Sequence, residues 1–115
     1  MVAGCIFCKI ASGEIPVKLV LEDEHWVAFD DNQPKAPVHA LVIPRRHLAS
    51  LDAAGEGDRD LLGRLLEGTR RVAGVKGIAG HGYRVVTNVG AEAGQSVFHL
   101  HFHVLGGRPM NWPPG

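Results

Sequence analysis

The chain of 115 residues has only two cysteines, one tyrosine, two tryptophans and two methionines, and it carries no net charge. Each shortage excludes something. Two cysteines, Cys5 and Cys8, are too few for a disulfide scaffold. Twelve basic residues balance twelve acidic ones, so no bulk field recruits nucleic acid or an anionic membrane, and an anionic ligand must be held by local geometry. No stretch approaches the ~20 apolar residues of a membrane helix. The residues before Cys5 lack the charged and apolar regions that precede a lipoprotein cleavage site, which leaves the cytoplasm as the expected location. Repeats, linkers and low-complexity runs are missing too, and the length suits one domain spanning residues 1–115. With 45% hydrophobic and 21% charged residues, such a globule can bury a core without staples.

What is plentiful is histidine, at seven residues. Its side chain changes charge near neutral pH and is the commonest metal ligand. Surface scatter accounts for His25 and His81, and extends to His39 or His47 if these have no partners.

Cys5–Ile10 suits one helical turn, ended by Ser12-Gly13. Lys18–Glu22 and Trp26–Asp30, separated by a charged turn, predict a β-hairpin. Pro34-Lys35-Ala36-Pro37 is too stiff for a central strand. Val38–Pro44 reads as a strand whose nearly continuous apolar run predicts burial on both faces. In Asp58–Ala73, residues Leu61, Leu62, Leu65, Leu66, Thr69, Val72 and Ala73 fall at helical spacing, with arginines on the other face. An acidic residue, Asp58 or Asp60, sits at the positive end, and the glycines from Gly74 to Gly80 end the helix. Tyr83–Thr87 and Val97–Leu105 read as two more strands. The expected fold class is α+β, a five-stranded antiparallel sheet with one long helix and a short N-terminal helix.

The last of these segments carries the chemistry. In Phe98-His99-Leu100-His101-Phe102-His103-Val104 the histidines alternate with apolar residues. On a strand, alternate side chains share a face, ~6.6 Å apart. The three imidazoles should therefore line one surface while Phe98, Leu100, Phe102 and Val104 pack behind it. A half-exposed strand that uses histidine three times is one alternative. Three ligands for a single metal is another, which a flat strand serves poorly because it spreads the nitrogens. The loop before it, Gly90–Ser96, can present backbone N–H groups around Gly94 to an anion, with the Ser96 hydroxyl and the Asn88 amide as further donors. An imidazole of ordinary pKa, ~6.5, is largely neutral and nucleophilic at pH 7, and an adjacent phosphate pocket makes it a phosphorus nucleophile.

The pattern His99-x-His101-x-His103 resembles the signature of the histidine triad (HIT) family. So do Phe29-x-Asp31, Ala36-Pro37-x-His39, Leu41-Val42-Ile43-Pro44-x-x-His47, Gly82-Tyr83-Arg84, Gly94-Gln95-Ser96-Val97 and Gly106-Gly107-Arg108. The ending Trp112-Pro113-Pro114-Gly115 resembles that of the Hint branch, the purine nucleoside phosphoramidases. This likeness implies hydrolysis of purine nucleoside 5′-phosphoramidates through a nucleotidyl intermediate on His101. His103 would contact the phosphate and help protonate the leaving amine, His99 would support, and His39 would orient the triad from behind. Asn88, Gln95 and Ser96, with Gly94 beside them, would hold phosphate oxygens or the leaving group, and Asp31 would accept both ribose hydroxyls. Ile6, Phe7, Ile10, Phe29 and Leu41 would hold the purine. Asn32 stands where many Hint proteins have isoleucine, so base preference is open. A third histidine, where nucleotide transferases have glutamine, favours a hydrolase. Hydrolysis of dinucleoside polyphosphates and a nucleotide- or zinc-binding adaptor are the alternatives. The likeness also implies a homodimer pairing long helices and last strands, with Trp112 reaching the neighbouring site.

Cys5-x-x-Cys8 has the spacing of half a zinc site. Two buried small hydrophobes would look the same, and a redox role lacks its usual strand–helix setting. The resemblance supplies a ligand set, in which Cys5, Cys8, His47 and His99 hold a structural zinc.

Overall fold

A computed structural model describes residues 2–115. A six-residue helix α1 (Ile6–Ala11) leads into the hairpin β1 (Leu19–Glu22) and β2 (Trp26–Asp30), then β3 (Val38–Pro44). Two short 3-10 turns precede the long helix α2 (Arg59–Val75), which is followed by β4 (Tyr83–Val86) and β5 (Phe102–Gly106). The strands form one five-stranded sheet in the order β1-β2-β3-β5-β4, antiparallel at every pairing. This is the α+β architecture that the sequence predicts.

The central strands separate two cores. On one face Ala28, Ala40, Val42, Phe102 and Val104 meet Leu65, Val72 and Ala73 of α2. On the other, Val27, Phe29, Leu41 and Ile43 meet Phe7, Ile10 and Ala11 of α1. That two-sided burial is the reason β3 reads as a continuous apolar run. The faces alternate along the strands, so His39 and His103 emerge on the α1 side, and Leu41 pairs in register with His103. Leu66 departs from the expected apolar stripe and is half exposed. β4 and β1 end the sheet at its two edges, whereas the last strand, β5, is paired on both sides by β3 and β4. The expected pairing of subunits through last strands therefore has no free edge at β5, and β4 is the edge beside it.

One expectation fails at its boundary. Val97–Leu105 is not a strand throughout, because β5 begins only at Phe102. His99 and His101 lie in irregular backbone before it. There Leu100 donates its N–H to the Leu48 carbonyl, a loop partner in place of a ladder partner. Leu100, Phe102 and Val104 still enter the core, but Phe98 is 55% exposed.

Gly68 lets α2 lie close on the sheet. A Cβ there would come 2.9 Å from the ring of Trp26 and 3.1 Å from Val42. Trp26 is buried, with Arg71 over its ring, and cannot swing aside. Glycine costs the helix ~1 kcal/mol of propensity, and overpacking costs ~1–3 kcal/mol. Replacing Gly68 recovers part of that propensity and so offsets part of the overpacking. Gly68→Val is expected to destabilise by about 1–2 kcal/mol net, read as a lower denaturant midpoint with unchanged slope.

Candidate active site and metal-ligating cluster

The first site is a cavity of about 600 Å³ on the α1 face of the sheet. One wall is apolar, with Ile6, Phe7 and Ile10 from α1, Phe29 from β2 and Leu41 from β3. Phe7 meets Phe29 edge-on at 5.7 Å and His101 at 5.2 Å between ring centres. Asp31, Asn32, His39, Ser96, His101 and His103 bring polar groups to the same space.

Hydrogen bonds fix which nitrogen of each ring carries a proton. His101 Nδ1 lies 2.7 Å from the backbone oxygen of His99. A carbonyl can only accept, so Nδ1 bears the hydrogen and Nε2 keeps its lone pair. His39 Nδ1 lies 3.0 Å from the N–H of Lys35, which can only donate, so His39 carries its proton on Nε2. That proton is donated to His103 Nδ1 at 2.8 Å, with Asp31 Oδ2 at 3.4 Å. His103 in its neutral form must then carry its hydrogen on Nε2, as a donor. Neighbouring rings thus play opposite parts: His101 offers electrons and His103 offers a proton. Burial first, then His101 and His39, push His103 down to about 4, against a smaller opposing pull from Asp31. Burial likewise lowers His39, partly offset by Asp31. At neutral pH both are uncharged donors.

Asp31, His39 and His103 also lie close enough together for a metal. Their spacing argues for hydrogen bonding instead. Two imidazole nitrogens on one tetrahedral ion at ~2.0 Å stand ~3.3 Å apart, whereas His39 and His103 are at 2.8 Å.

The second cluster has the other spacing. His99 is fully buried, and its Nε2 donates to the Pro44 carbonyl at 2.8 Å. Its Nδ1 lone pair therefore faces Cys5 Sγ at 3.4 Å, Cys8 Sγ at 3.5 Å and His47 Nδ1 at 3.2 Å, and Cys8 Sγ lies 3.4 Å from His47 Nδ1. Bonds of ~2.3 Å to sulfur and ~2.0 Å to nitrogen give tetrahedral edges of about 3.5 Å for N···S and about 3.3 Å for N···N. The four donors fit a tetrahedral zinc, and the Pro44 carbonyl is the partner expected behind a ligating imidazole. Burial lowers His99 and raises the Cys8 thiol, each toward its neutral form without an ion.

Several expected contacts fall elsewhere. Gln95 is buried, and its carboxamide is spent on the loop. Its oxygen accepts from Gly90 N–H at 2.8 Å, while its nitrogen donates to the carbonyls of Ala49 at 2.7 Å and Val97 at 3.1 Å. It braces the segment bearing Ser96 and does not line the cavity. The N–H groups of Gly94 and Gln95 are taken by Ala91 and Gly90, so the expected anion nest at Gly94 is closed. Asn88 is half-buried beyond the cavity lining. Trp112 is 82% exposed, away from this chain's own cavity. Sequence reasoning missed Val17, Lys18, Asp30, Gln33, Lys35 and Val97, which also line the cavity. Lys35 and Pro44 act on the histidines through main-chain groups, which leave no side-chain signature.

Fold and site together define a small α+β domain whose sheet face presents histidines of fixed tautomer to an apolar-walled cavity. Residues 12–110 match the HIT domain family, and the chain belongs to it. It is 52% identical over 115 residues, the whole of both chains, to an uncharacterised HIT-like protein of Synechocystis. Among solved structures it resembles a HIT family hydrolase of Legionella pneumophila, at TM-score 0.94 and 46% identity, covering 97% of this chain and 100% of that one. A HIT family hydrolase of Clostridium thermocellum matches at TM-score 0.93 and 43% identity, covering 96% of each. Cys5 and Cys8 precede the family match, and Trp112 follows it.

The depressed His103 gives a signed expectation. The unfolded ring takes its proton near pH ~6.5, the folded one only near about 4. Between those values the unfolded state binds more protons, so stability falls as pH drops through the window and levels off below it. His103→Gln removes that titration. Its melting temperature should fall less than the wild type's between pH 6.5 and 4.5, measured by calorimetry.

Proposed function

We propose that this protein hydrolyses purine nucleoside 5′-phosphoramidates, as an enzyme of the Hint branch. The observation that carries the reading is His101, whose Nε2 lone pair is kept free by the proton that Nδ1 donates to the His99 carbonyl. The relatives called HIT family hydrolases support the reaction class. The purine lies against Ile6, Phe7, Ile10, Phe29 and Leu41. Asp31 takes the ribose hydroxyls; its Oδ1 already accepts from Gln33 N–H at 2.8 Å, yet each carboxylate oxygen has a further lone pair.

His101 Nε2 attacks phosphorus, a nitrogen–phosphorus bond to the ring forms, and the bond to the amine breaks. The departing amine takes up a proton from solvent. Water then attacks phosphorus, the bond to His101 breaks, and a proton returns to solvent with release of the nucleoside monophosphate. Splitting the displacement in two lowers each barrier. His103 Nε2–H and the Ser96 hydroxyl steady the phosphoryl oxygens, the His103 proton being held in place by His39. Because His103 is pushed down to about 4, it works as a hydrogen-bond donor and not as a charged acid.

Cys5, Cys8, His47 and His99 hold one structural zinc in this reading. Four protein ligands leave no open position, so when bound the ion supplies a cross-link and no reactive water. It ties the start of α1 to the loop that bears His101.

Two experiments test these assignments. Intact mass spectrometry with a slowly turned-over analogue should show one nucleotidyl adduct, mapping to His101. His101→Ala should lower kcat/KM by at least about 10⁴-fold while nucleoside monophosphate still binds. An adduct on another residue, or turnover that survives the substitution, sinks the mechanism. Metal analysis of protein never exposed to chelator should find one zinc per chain, lost in Cys8→Ser; zinc-free wild type would remove the site.

A further inference from the structure

Phe98 poses a problem that the fold leaves unsolved. Its alternating neighbours Leu100, Phe102 and Val104 are buried, yet Phe98 is 55% exposed, and Ile6 and Val2 nearby are 48% and 45% exposed. These side chains are not scattered. With Ala49 and Val97 they line a groove of about 510 Å³. Ile6, Ser96 and Val97 line both this groove and the His101 cavity, so the two spaces meet along one seam formed by these three residues.

Their chemistry differs. The cavity presents Lys18, Lys35, Asp30 and Asp31, whereas among the described residues no Asp, Glu, Lys or Arg lines the groove. Its titratable members, Cys5 and His47, belong to the metal-ligating cluster. On the phosphoramidase reading, a nucleoside monophosphate occupies the cavity, with its base on the apolar wall and its phosphorus at His101. In a displacement at phosphorus the leaving group departs opposite the attacking nitrogen, so the substituent on the leaving atom needs a space outside the nucleoside pocket. Among the described residues, the adjoining space is lined by apolar and neutral side chains apart from the titratable Cys5 and His47. An ammonium or phosphate there would lose hydration with no ionised side chain to compensate it, while an alkyl or aryl group loses only contact with water.

We propose that this groove is the leaving-group subsite, built for an amine whose substituent is an uncharged alkyl or arylalkyl group, with Phe98 as its specificity-determining residue. The assignment rests on the phosphoramidase reading above. It also disfavours a dinucleoside polyphosphate, whose leaving group would bring several negative charges into the groove.

The test compares kcat/KM for four adenosine 5′-phosphoramidates: unsubstituted, N-methyl, N-phenethyl, and N-(2-aminoethyl), which carries a second charge. In the wild type the phenethyl conjugate should exceed both the methyl and the aminoethyl conjugates by about tenfold, as an apolar pocket of this kind discriminates by ~10–200-fold. Phe98→Ala should erase most of that preference and leave the unsubstituted compound within about twofold. Ala49→Asp should lower the phenethyl rate and raise the aminoethyl rate. An unchanged melting temperature and nucleoside monophosphate affinity would show that the variants keep the fold. If the unsubstituted compound forms the His101 adduct but the wild-type amine series is flat, the groove assignment falls and the hydrolase reading stands. Equal losses on all four conjugates in Phe98→Ala overturn it as well. If no conjugate is turned over and no adduct forms, both readings fall.

Discussion

The arrangement depends on one hydrogen bond, the 2.7 Å contact from His101 Nδ1 to the carbonyl of His99. An imidazole free to choose its tautomer presents a lone pair or a hydrogen to the cavity by turns. Bound to a carbonyl two residues back in its own chain, it presents the lone pair. The same logic fixes the neighbouring rings through different anchors. His99 is set by the Pro44 carbonyl, and His103 is set by His39, itself set by the N–H of Lys35. Main-chain groups cannot change protonation state near neutral pH, so each neutral ring that ends on one keeps a single tautomer. Neutral chemistry of this kind suits a chain without net charge. Burial holds His39 and His103 uncharged at neutral pH, so His103 can donate to a phosphate with no cation stored in a partly desolvated pocket.

This bond also explains why the histidine segment is not a regular strand up to Phe102. In a regular strand the carbonyl of residue 99 points sideways toward a neighbouring strand, and rings two residues apart stand parallel on one face. Neither geometry lets ring 101 reach that carbonyl. Irregular backbone through His99 and His101 does, and Leu100 N–H then finds the Leu48 carbonyl in place of a ladder partner. The rings diverge accordingly. His99 turns to the cysteines, His101 to the cavity beside Phe7, and His103 to His39.

Much of this was legible in the sequence, for identifiable reasons. β3 has the same bounds as its apolar run, and α2 lies within two residues of its periodic stretch, because burial on one or both faces writes itself into the pattern. The apolar wall, Asp31, His39, Ser96 and two histidines of the cavity were named in advance because their side chains do the lining. The failures share a cause. Alternation predicts a strand but carries no information on whether a carbonyl will be captured by a ring, so the start of β5 and the exposure of Phe98 were missed. Gln95 was expected at the phosphate, yet its three hydrogen bonds all go to loop backbone, a choice that depends on how Ala49 approaches and not on local sequence.

The two clusters also need each other mechanically. At six residues α1 is far shorter than the ~12–15 at which a free helix becomes even marginal in water, so something beyond its own hydrogen bonds must hold it. Phe7 and Ile10 pack on the sheet, and the Arg45 guanidinium reaches the Ala11 carbonyl at its end. At its beginning, the anchor is the meeting of Cys5 and Cys8 with His47 and His99. The wall formed by Ile6, Phe7 and Ile10 is therefore only as well placed as that anchor. The same His99 that joins the cysteines through its ring sets the His101 tautomer through its carbonyl. A disturbance at the cysteines reaches the cavity by two short routes, one through the helix that lines it and one through the backbone that orients the His101 ring.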